Sequence, residues 1–312
     1  MDFKQARIVY MGTPDLAASL LEKLLTDGFN IVALIAQPDT SSGRKGHSVP
    51  VATRIVAQTH HIPVYQPLSI RDDHDFINEF ECDLIVTLAY GQIVPDEVLN
   101  WPKLGALNVH GSLLPKLRGA APIQYALMQG LNQTGITLMR MVTRMDAGDM
   151  FARLSLDIMP EDDYGSLRAK MSLLINQRIP ELLKQYLNGQ LIAQPQDERL
   201  ATFAPSIKKE QEHLNIERKC HEFINLVRAL SPEPGGYLLD ETGSRIKIFN
   251  VRYYDDHTDW DKGIILVENK CLLLQLCNGR IIIDRLQIPG KRVMSATDFL
   301  LGHQKISGAV WK

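Results

Sequence analysis

No run of about 18 apolar residues occurs in the 312-residue chain, which argues against a membrane-spanning helix. The opening Met-Asp-Phe-Lys-Gln-Ala-Arg leads straight into a strand-like Ile8-Val9-Tyr10-Met11 without the apolar core of a signal peptide, so a cytoplasmic location is expected. Cysteine is scarce. The four thiols, at positions 82, 220, 271 and 277, fit neither a dense disulfide framework nor the C-x-x-C spacing of a zinc site, and they read as reduced core residues. His60-His61 and His74 lie in a polar stretch with no spaced carboxylate or thiol set, so no metal is expected. Charge of one sign is also lacking. With 34 Lys and Arg against 36 Asp and Glu, the net charge of −2 provides no global basic field, so DNA is not expected as a partner and any nucleic acid must be met by local patches. Internal repeats and low-complexity tracts are absent. The first strand-to-helix turn, Met11-Gly12-Thr13-Pro14-Asp15, lacks the G-x-G-x-x-G spacing that lets a backbone approach a pyrophosphate, which argues against a dinucleotide cofactor.

What is present is an ordinary globular composition, 45% hydrophobic and 22% charged with 21 glycines and 16 prolines, in a chain long enough for two domains. Short apolar runs alternate with helical patterns: strand 6–11, helix 14–27, strand 31–36, helix 49–60, then Leu84-Ile85-Val86-Thr87-Leu88 and Ala106-Leu107-Asn108-Val109. Such runs suit strands buried on both faces. The expected fold class is α/β, with a Rossmann-like, mostly parallel sheet in an N-terminal domain over residues 1–189. Helical patterning recurs over 119–130 and 163–188, and the polar stretch 190–208, with Pro195 and Pro205, reads as a linker. Residues 209–312 show one helix, Lys219 to Leu230, and five strand-like runs near 237, 246, 264, 271 and 281. That count suggests a smaller OB-like β-barrel domain.

The densest chemical candidate is Asn108-Val109-His110-Gly111-Ser112-Leu113-Leu114-Pro115, directly after an apolar strand. Ligands of parallel α/β sheets bind outside the carboxyl ends of strands, and Asn108 and His110, two residues apart, face the same way. By themselves the two residues suit a satisfied structural pair as well as a catalytic one. The run from His110 to Ile123, with Ala89-Tyr90-Gly91 upstream and Met145-Asp146-Ala147-Gly148-Asp149-Met150 downstream, resembles the methionyl-tRNA formyltransferases. The likeness extends through Gly12-Thr13-Pro14-Asp15, Gln37-Pro38-Asp39, Pro234-Gly235-Gly236 and Gly290-Lys291-Arg292-Val293-Met294-Ser295-Ala296. The Asn, His, Asp set and the Ser-Leu-Leu-Pro stretch are common to folate-dependent formyltransferases, so they mark the chemistry more firmly than the acceptor.

The resemblance implies that 10-formyltetrahydrofolate gives its formyl group to the amine of methionine on initiator tRNA. Attack of that amine creates an oxyanion, for which the Asn108 amide and a protonated His110 are suitable donors. Asp146 is implied to stand beside His110, as orienter or as proton acceptor. Leu88, Ala89, Tyr90, Ser112, Leu113, Leu114 and Pro115 are implied to hold the folate. The loop 37–47 exceeds the 2–6 residues typical of a strand-to-helix connection, and by resemblance its Arg44 and Lys45 meet the tRNA acceptor stem. Lys208 and Lys209 are implied to contact the tRNA from the second domain, with Arg218-Lys219, Arg245 with Lys247, and Lys291-Arg292 as further clusters. Two positions depart from the family pattern: Ser206 stands where Lys is usual, and Leu214-Asn215-Ile216 replaces Ile-Asp-Trp. A monomer is expected. An amino-sugar nucleotide as acceptor, hydrolysis of the folate by water, and a tRNA-binding protein without catalysis are the rival readings.

Overall fold

The computed structural model describes residues 1–42 and 47–312. In chain order it begins with β1 (Ile8–Gly12), α1 (Asp15–Thr26), β2 (Ile31–Ile35), a ribbon of β3 (Thr40–Ser42) and β4 (His47–Val49), α2 (Ala52–Thr59) and β5 (Val64–Tyr65). There follow β6 (Leu84–Leu88), α3 (Asp96–Leu99), β7 (Ala106–His110), α4 (Pro122–Met128), β8 (Gln133–Arg140), β9 (Met150–Asp157) and α5 (Tyr164–Leu187). Seven of these strands make one sheet in the order β5-β2-β1-β6-β7-β8-β9. From β5 to β7 every pairing is parallel, and β8 then joins β7 antiparallel. The parallel part agrees with the expectation from sequence. The apolar pattern gives no sign of β8 and β9, which extend the sheet beyond β7.

Burial explains why the central strands form. All five residues of β1 and of β6 are buried, which requires apolar side chains on both faces. Along β1, Ile8 and Tyr10 enter one cluster with Leu20 and Leu24 of α1 and Ile175 and Ile179 of α5. Val9 and Met11 enter the cluster on the other face, with Ile85, Val98 and Ala106. At the amino ends of the strands Arg7 grips Asp83: its backbone N–H and Nε donate to Oδ2 at 2.8 and 3.0 Å, and Nη2 donates to Oδ1 at 2.9 Å. These bonds hold the Asp83 carboxyl down to about 2.

The later elements are α6 (Cys220–Leu230), β10 (Gly236–Leu239), β11 (Arg245–Asp255), β12 (Ile265–Glu268), β13 (Cys271–Leu276), β14 (Gly279–Gln287), β15 (Met294–Ser295) and α7 (Ala296–Gly302). Their sheet runs β10-β11-β14-β13-β12, antiparallel throughout, with β15 added to β14. Residues 309–312 connect its two edges. On one side Trp311 N donates to Gly263 O and Ile265 N to Ala309 O, each at 2.8 Å; on the other Leu239 and Lys312 exchange backbone bonds of 2.5 and 2.8 Å. Closing the sheet in this way removes the open edges of β10 and β12. Gly263 has φ +86°, and a Cβ there would stand 2.5 Å from Trp311 O, so the closure requires a glycine. The interior holds Phe223 and Val227 of α6, Ile248, Leu272, Leu274, Ile281 and the Trp311 ring.

The chain divides into two compact units that interleave in sequence. Residues 1–122, 134–156 and 168–205 form the first, and 123–133, 157–167 and 206–312 the second. The stretch 190–205 packs in the first unit through backbone bridges between Gln194 and Met150 and between Phe203 and Arg118. Among the described residues no helix is long and apolar enough to cross a membrane, and no group of three or more His, Cys, Asp or Glu could hold a metal ion. Because Trp311 is both core residue and closing strand, Trp311→Ala is expected to destabilise the second unit by about 3–5 kcal/mol. Urea unfolding followed by far-ultraviolet dichroism checks this, and a loss below about 1 kcal/mol would contradict the role given to Trp311.

Candidate active site

The strand order reverses between β1 and β6, because the chain runs outward from β1 through β2 to β5 before returning with β6. A crevice at the carboxyl ends of such strands is where open α/β sheets bind ligands. Three connections meet there. Thr13, after β1, donates through Oγ1 to Tyr90 O at 3.0 Å; Gln37, after β2, donates through Nε2 to the same oxygen at 3.2 Å; and Gln37 N donates to Thr13 Oγ1 at 3.2 Å. Ala89 is exposed with φ +50°, a left-handed conformation that costs an L-residue about 1–2 kcal/mol and is found at sites that need a special backbone shape. Tyr90 is buried, its phenol has no partner among the described residues, and burial pushes that phenol up.

Asn108 and His110 leave the carboxyl end of the neighbouring strand, β7, on one face. They are opposite Met139 and Thr137 of β8, so both sit inside the sheet rather than on a loose loop. His110 is 5% exposed. Its Nε2 lies 2.9 Å from Leu117 O; a carbonyl only accepts, so Nε2 carries a proton. Its Nδ1 lies 3.5 Å from Asp146 Oδ2, too long to tie up a proton there. Asp146 comes from the β8–β9 connection and has φ +49°. Its Oδ2 accepts from Gly119 N at 2.8 Å, and its Oδ1 faces Asn108 Nδ2 at 3.4 Å. The structure therefore brings all three predicted polar residues together, with two donors and a carboxylate converging. Gly119 takes part through its backbone: φ is +119°, and a Cβ would lie 2.7 Å from Ala204 O.

The stretch after His110 is braced from inside. Thr137 Oγ1 donates to Ser112 O at 2.7 Å and accepts from Leu114 N at 3.1 Å, while Ser112 Oγ donates to Lys116 O at 2.6 Å. Ser112 and Leu114 are fully buried, and Leu114 packs on Met139 and Met150. Of the residues read as folate-binding, Leu88, Tyr90, Ser112, Leu114 and Pro115 are buried, and Ala89 and Leu113 reach the surface. Leu113 borders an open cleft of about 390 Å³ with Met150, Arg153 and Gln194. None of Asn108, His110 or Asp146 lines that cleft.

Three residues that sequence reasoning gave no role stand around Asp146. Arg118, 2% exposed, donates to Gln196 and to Glu198; Gln196 in turn donates to the backbone of Asp146 and Gly148. A buried arginine needs a partner, but nothing in the run Leu117-Arg118-Gly119 says that the partner lies nearly 80 residues away.

Arg44 and Lys45 lie outside the described residues. At the base of their loop Asp39 accepts from Gln66 Nε2 at 2.9 Å and Val51 N at 3.4 Å and pairs with Arg54. The bond from Gln66 leads in holding its carboxyl low. Lys208 and Lys209 are exposed in the second unit. Of the other basic pairs, Arg245 lies over the Tyr237 ring at 4.4 Å, and Lys247 donates to Pro234 O at 2.6 Å. Both are thus engaged within the unit.

Comparison with known proteins adds an independent line. Residues 6–183 match the formyl transferase family, and residues 206–304 match the C-terminal domain of formyl transferases. The methionyl-tRNA formyltransferase of Ligilactobacillus salivarius is 42% identical over 303 residues, covering 95% of this chain and 94% of the relative. That of Bacillus subtilis is 39% identical over 308 residues, 97% of each. Among solved structures, the sugar 3N-formyl transferase WlaRD, determined with dTDP and 5-N-formyl-THF, superposes with a TM-score of 0.67 at 17% identity over 92% of this chain and 99% of its own. HypX from Aquifex aeolicus in complex with tetrahydrofolic acid gives 0.62 at 17% over 96% of this chain and 47% of its own. The structural likeness speaks for the fold, and the identity to the tRNA enzymes runs through both compact units. The chain belongs to the methionyl-tRNA formyltransferase family.

Proposed function

We propose that the chain transfers the formyl group of 10-formyltetrahydrofolate to the α-amine of methionine carried by initiator tRNA, acting as a monomer in the cytoplasm. The observation that carries this reading is the convergence of Asn108, His110 and Asp146 at the carboxyl end of β7, in a chain alike to the tRNA enzymes along almost its whole length. In the reaction the amine nitrogen forms a bond to the formyl carbon, the bond from that carbon to N10 breaks, and one amine proton ends on N10.

The residues divide these tasks by geometry. The Asn108 amide and the His110 Nδ1 proton serve as donors to the oxyanion, since His110 Nε2 is already committed to Leu117 O. Asp146 Oδ2 is committed to Gly119 N, which leaves Oδ1, with only its long approach to Asn108, to take the amine proton. The folate lies along Leu88, Ala89 and Tyr90 and the Ser112–Pro115 segment. With the latter packed from below, its backbone and Leu113 serve as the contact surface. The tRNA is met by Arg44 and Lys45 on the first unit and by Lys208 and Lys209 on a second-domain surface spanning residues 209–312 and the end of the linker.

Three experiments test this. Purified protein with 10-formyltetrahydrofolate is offered methionylated initiator tRNA, the same tRNA uncharged, and a dTDP-amino sugar. Transfer to the charged tRNA alone is expected; transfer to the sugar would leave the site standing and replace the acceptor. Asn108→Ala is expected to lower kcat by about 10²–10³ with KM for tRNA nearly unchanged, and an equal effect on binding and turnover would argue against its donor role. Arg44→Ala with Lys45→Ala is expected to raise KM for tRNA and leave KM for folate unchanged. It is also expected to flatten the salt dependence of tRNA binding by roughly 0.7 in log–log slope for each phosphate that is no longer neutralised. An unchanged slope would remove the loop from the tRNA interface.

A further inference from the structure

The Asp146 carboxylate is only as well placed as the backbone that carries it, and that backbone is in a left-handed conformation that few aspartates adopt. Donors from two segments hold it. Gly119 N takes the carboxylate at 2.8 Å. From the far side, the Gln196 amide donates through Nε2 to Asp146 O at 2.8 Å and to Gly148 O at 2.7 Å, so one NH₂ group spans the turn.

The direction of that amide is fixed by Arg118. An arginine side chain donates and never accepts, and Arg118 Nε and Nη2 point at Gln196 Oε1 from 3.1 and 2.7 Å. With its oxygen so engaged, Gln196 must turn its NH₂ toward the two carbonyls. Arg118 is itself held by Glu198, which accepts from Nη1 at 3.1 Å and from Nη2 at 2.9 Å and also pairs with Arg144, two residues before Asp146. The backbone closes the circuit, because Arg118 N donates to Thr202 O at 2.9 Å and Ala204 N donates to Arg118 O at 2.7 Å. Residues 196–204 and 117–119 thereby form one frame around residue 146.

We infer that Gln196 is a positioning residue for the transfer reaction: aligned by Arg118, its amide fixes the left-handed turn that aims the Asp146 carboxylate at His110 and Asn108. The inference rests on the reading of Asp146 as a reacting group. Removing the two donated bonds while keeping the bulk of the side chain lets the turn relax. A displacement of the order of 1 Å at a reacting group can cost about 10²-fold in rate, whereas the surfaces that meet folate and tRNA are left in place.

Gln196→Glu tests this, since it keeps the oxygen facing Arg118 and turns the two donations into carboxylate–carbonyl repulsion. Gln196→Met, with neither donor nor charge, is the second variant should the first fail to fold. Each is measured by steady-state formylation, alone and combined with Asp146→Ala, giving kcat and KM for both substrates. The expected result is a kcat about 10- to 100-fold lower, with KM within about threefold, in the Asp146 protein, and no further loss when Asp146 is already alanine. A wild-type kcat in both Gln196 variants overturns the inference, and so does an equal loss in the two backgrounds, which would put the action of Gln196 elsewhere. Wild-type turnover in Asp146→Ala alone overturns the underlying reading of Asp146, a result distinct from either.

Discussion

A left-handed aspartate costs about 1–2 kcal/mol relative to an ordinary backbone, and such a conformation lasts only where its surroundings over-determine it. At Asp146 the over-determination is visible: a backbone N–H on the carboxylate and one side-chain amide across two carbonyls. The sheet supplies the other half of the arrangement. Asn108 and His110 stand on a strand flanked on both sides, so their positions follow from the register of β7 with β6 and β8. A loop group is brought to a strand group, and the loop group is the one that needs the frame.

The depth of burial decides what is legible in the sequence. β1 and β6 announce themselves because strands covered on both faces are almost wholly apolar, β7 does so through Ala106, Leu107 and Val109, and the run 84–88 has the limits of the observed strand. β8 and β9 carry weaker patterns. Polar Thr134 and Thr137 and the glycine at 135 interrupt the apolar signal in β8, and β9 alternates half-buried with exposed positions as expected at an edge. Residues 190–208 read as a linker because they are polar and contain proline, yet 190–205 of them belong to the first unit. Their attachment is through backbone bridges and hydrogen-bonding side chains, which leave no hydrophobic period. The same reason hides Gln196, whose role depends on partners at 118, 146 and 148 that only the fold brings near. Asn108, His110 and Asp146 take their roles in the sequence through resemblance, since a histidine beside an asparagine carries little information by itself.

In the second unit the charges that look available in the sequence are only partly so. Arg280, almost fully buried, is bound to Asp255 and Glu268 and lies over Tyr254, so it serves the barrel. The Asp255 carboxyl is correspondingly held near 2, chiefly by Arg280. Arg245 and Lys247 are similarly engaged. Basic residues counted in sequence therefore overstate the positive surface, and Lys208, Lys209, Arg218, Lys219, Lys291 and Arg292 are the exposed remainder of the named clusters.

This separation agrees with what each task demands. Stabilising a developing oxyanion requires donors placed to within a fraction of an ångström, which strands and buried hydrogen bonds supply. Meeting a phosphate backbone requires cations that follow a long, hydrated surface, which exposed lysines on turns supply with little precision. A chain of net charge −2 can then bind a polyanion through a few exposed cations while its buried arginines work as structural donors. Arg118 illustrates the distinction: although cationic, it is 2% exposed and spends its donors on Gln196 and Glu198, so its charge is used to orient an amide and not to attract a phosphate.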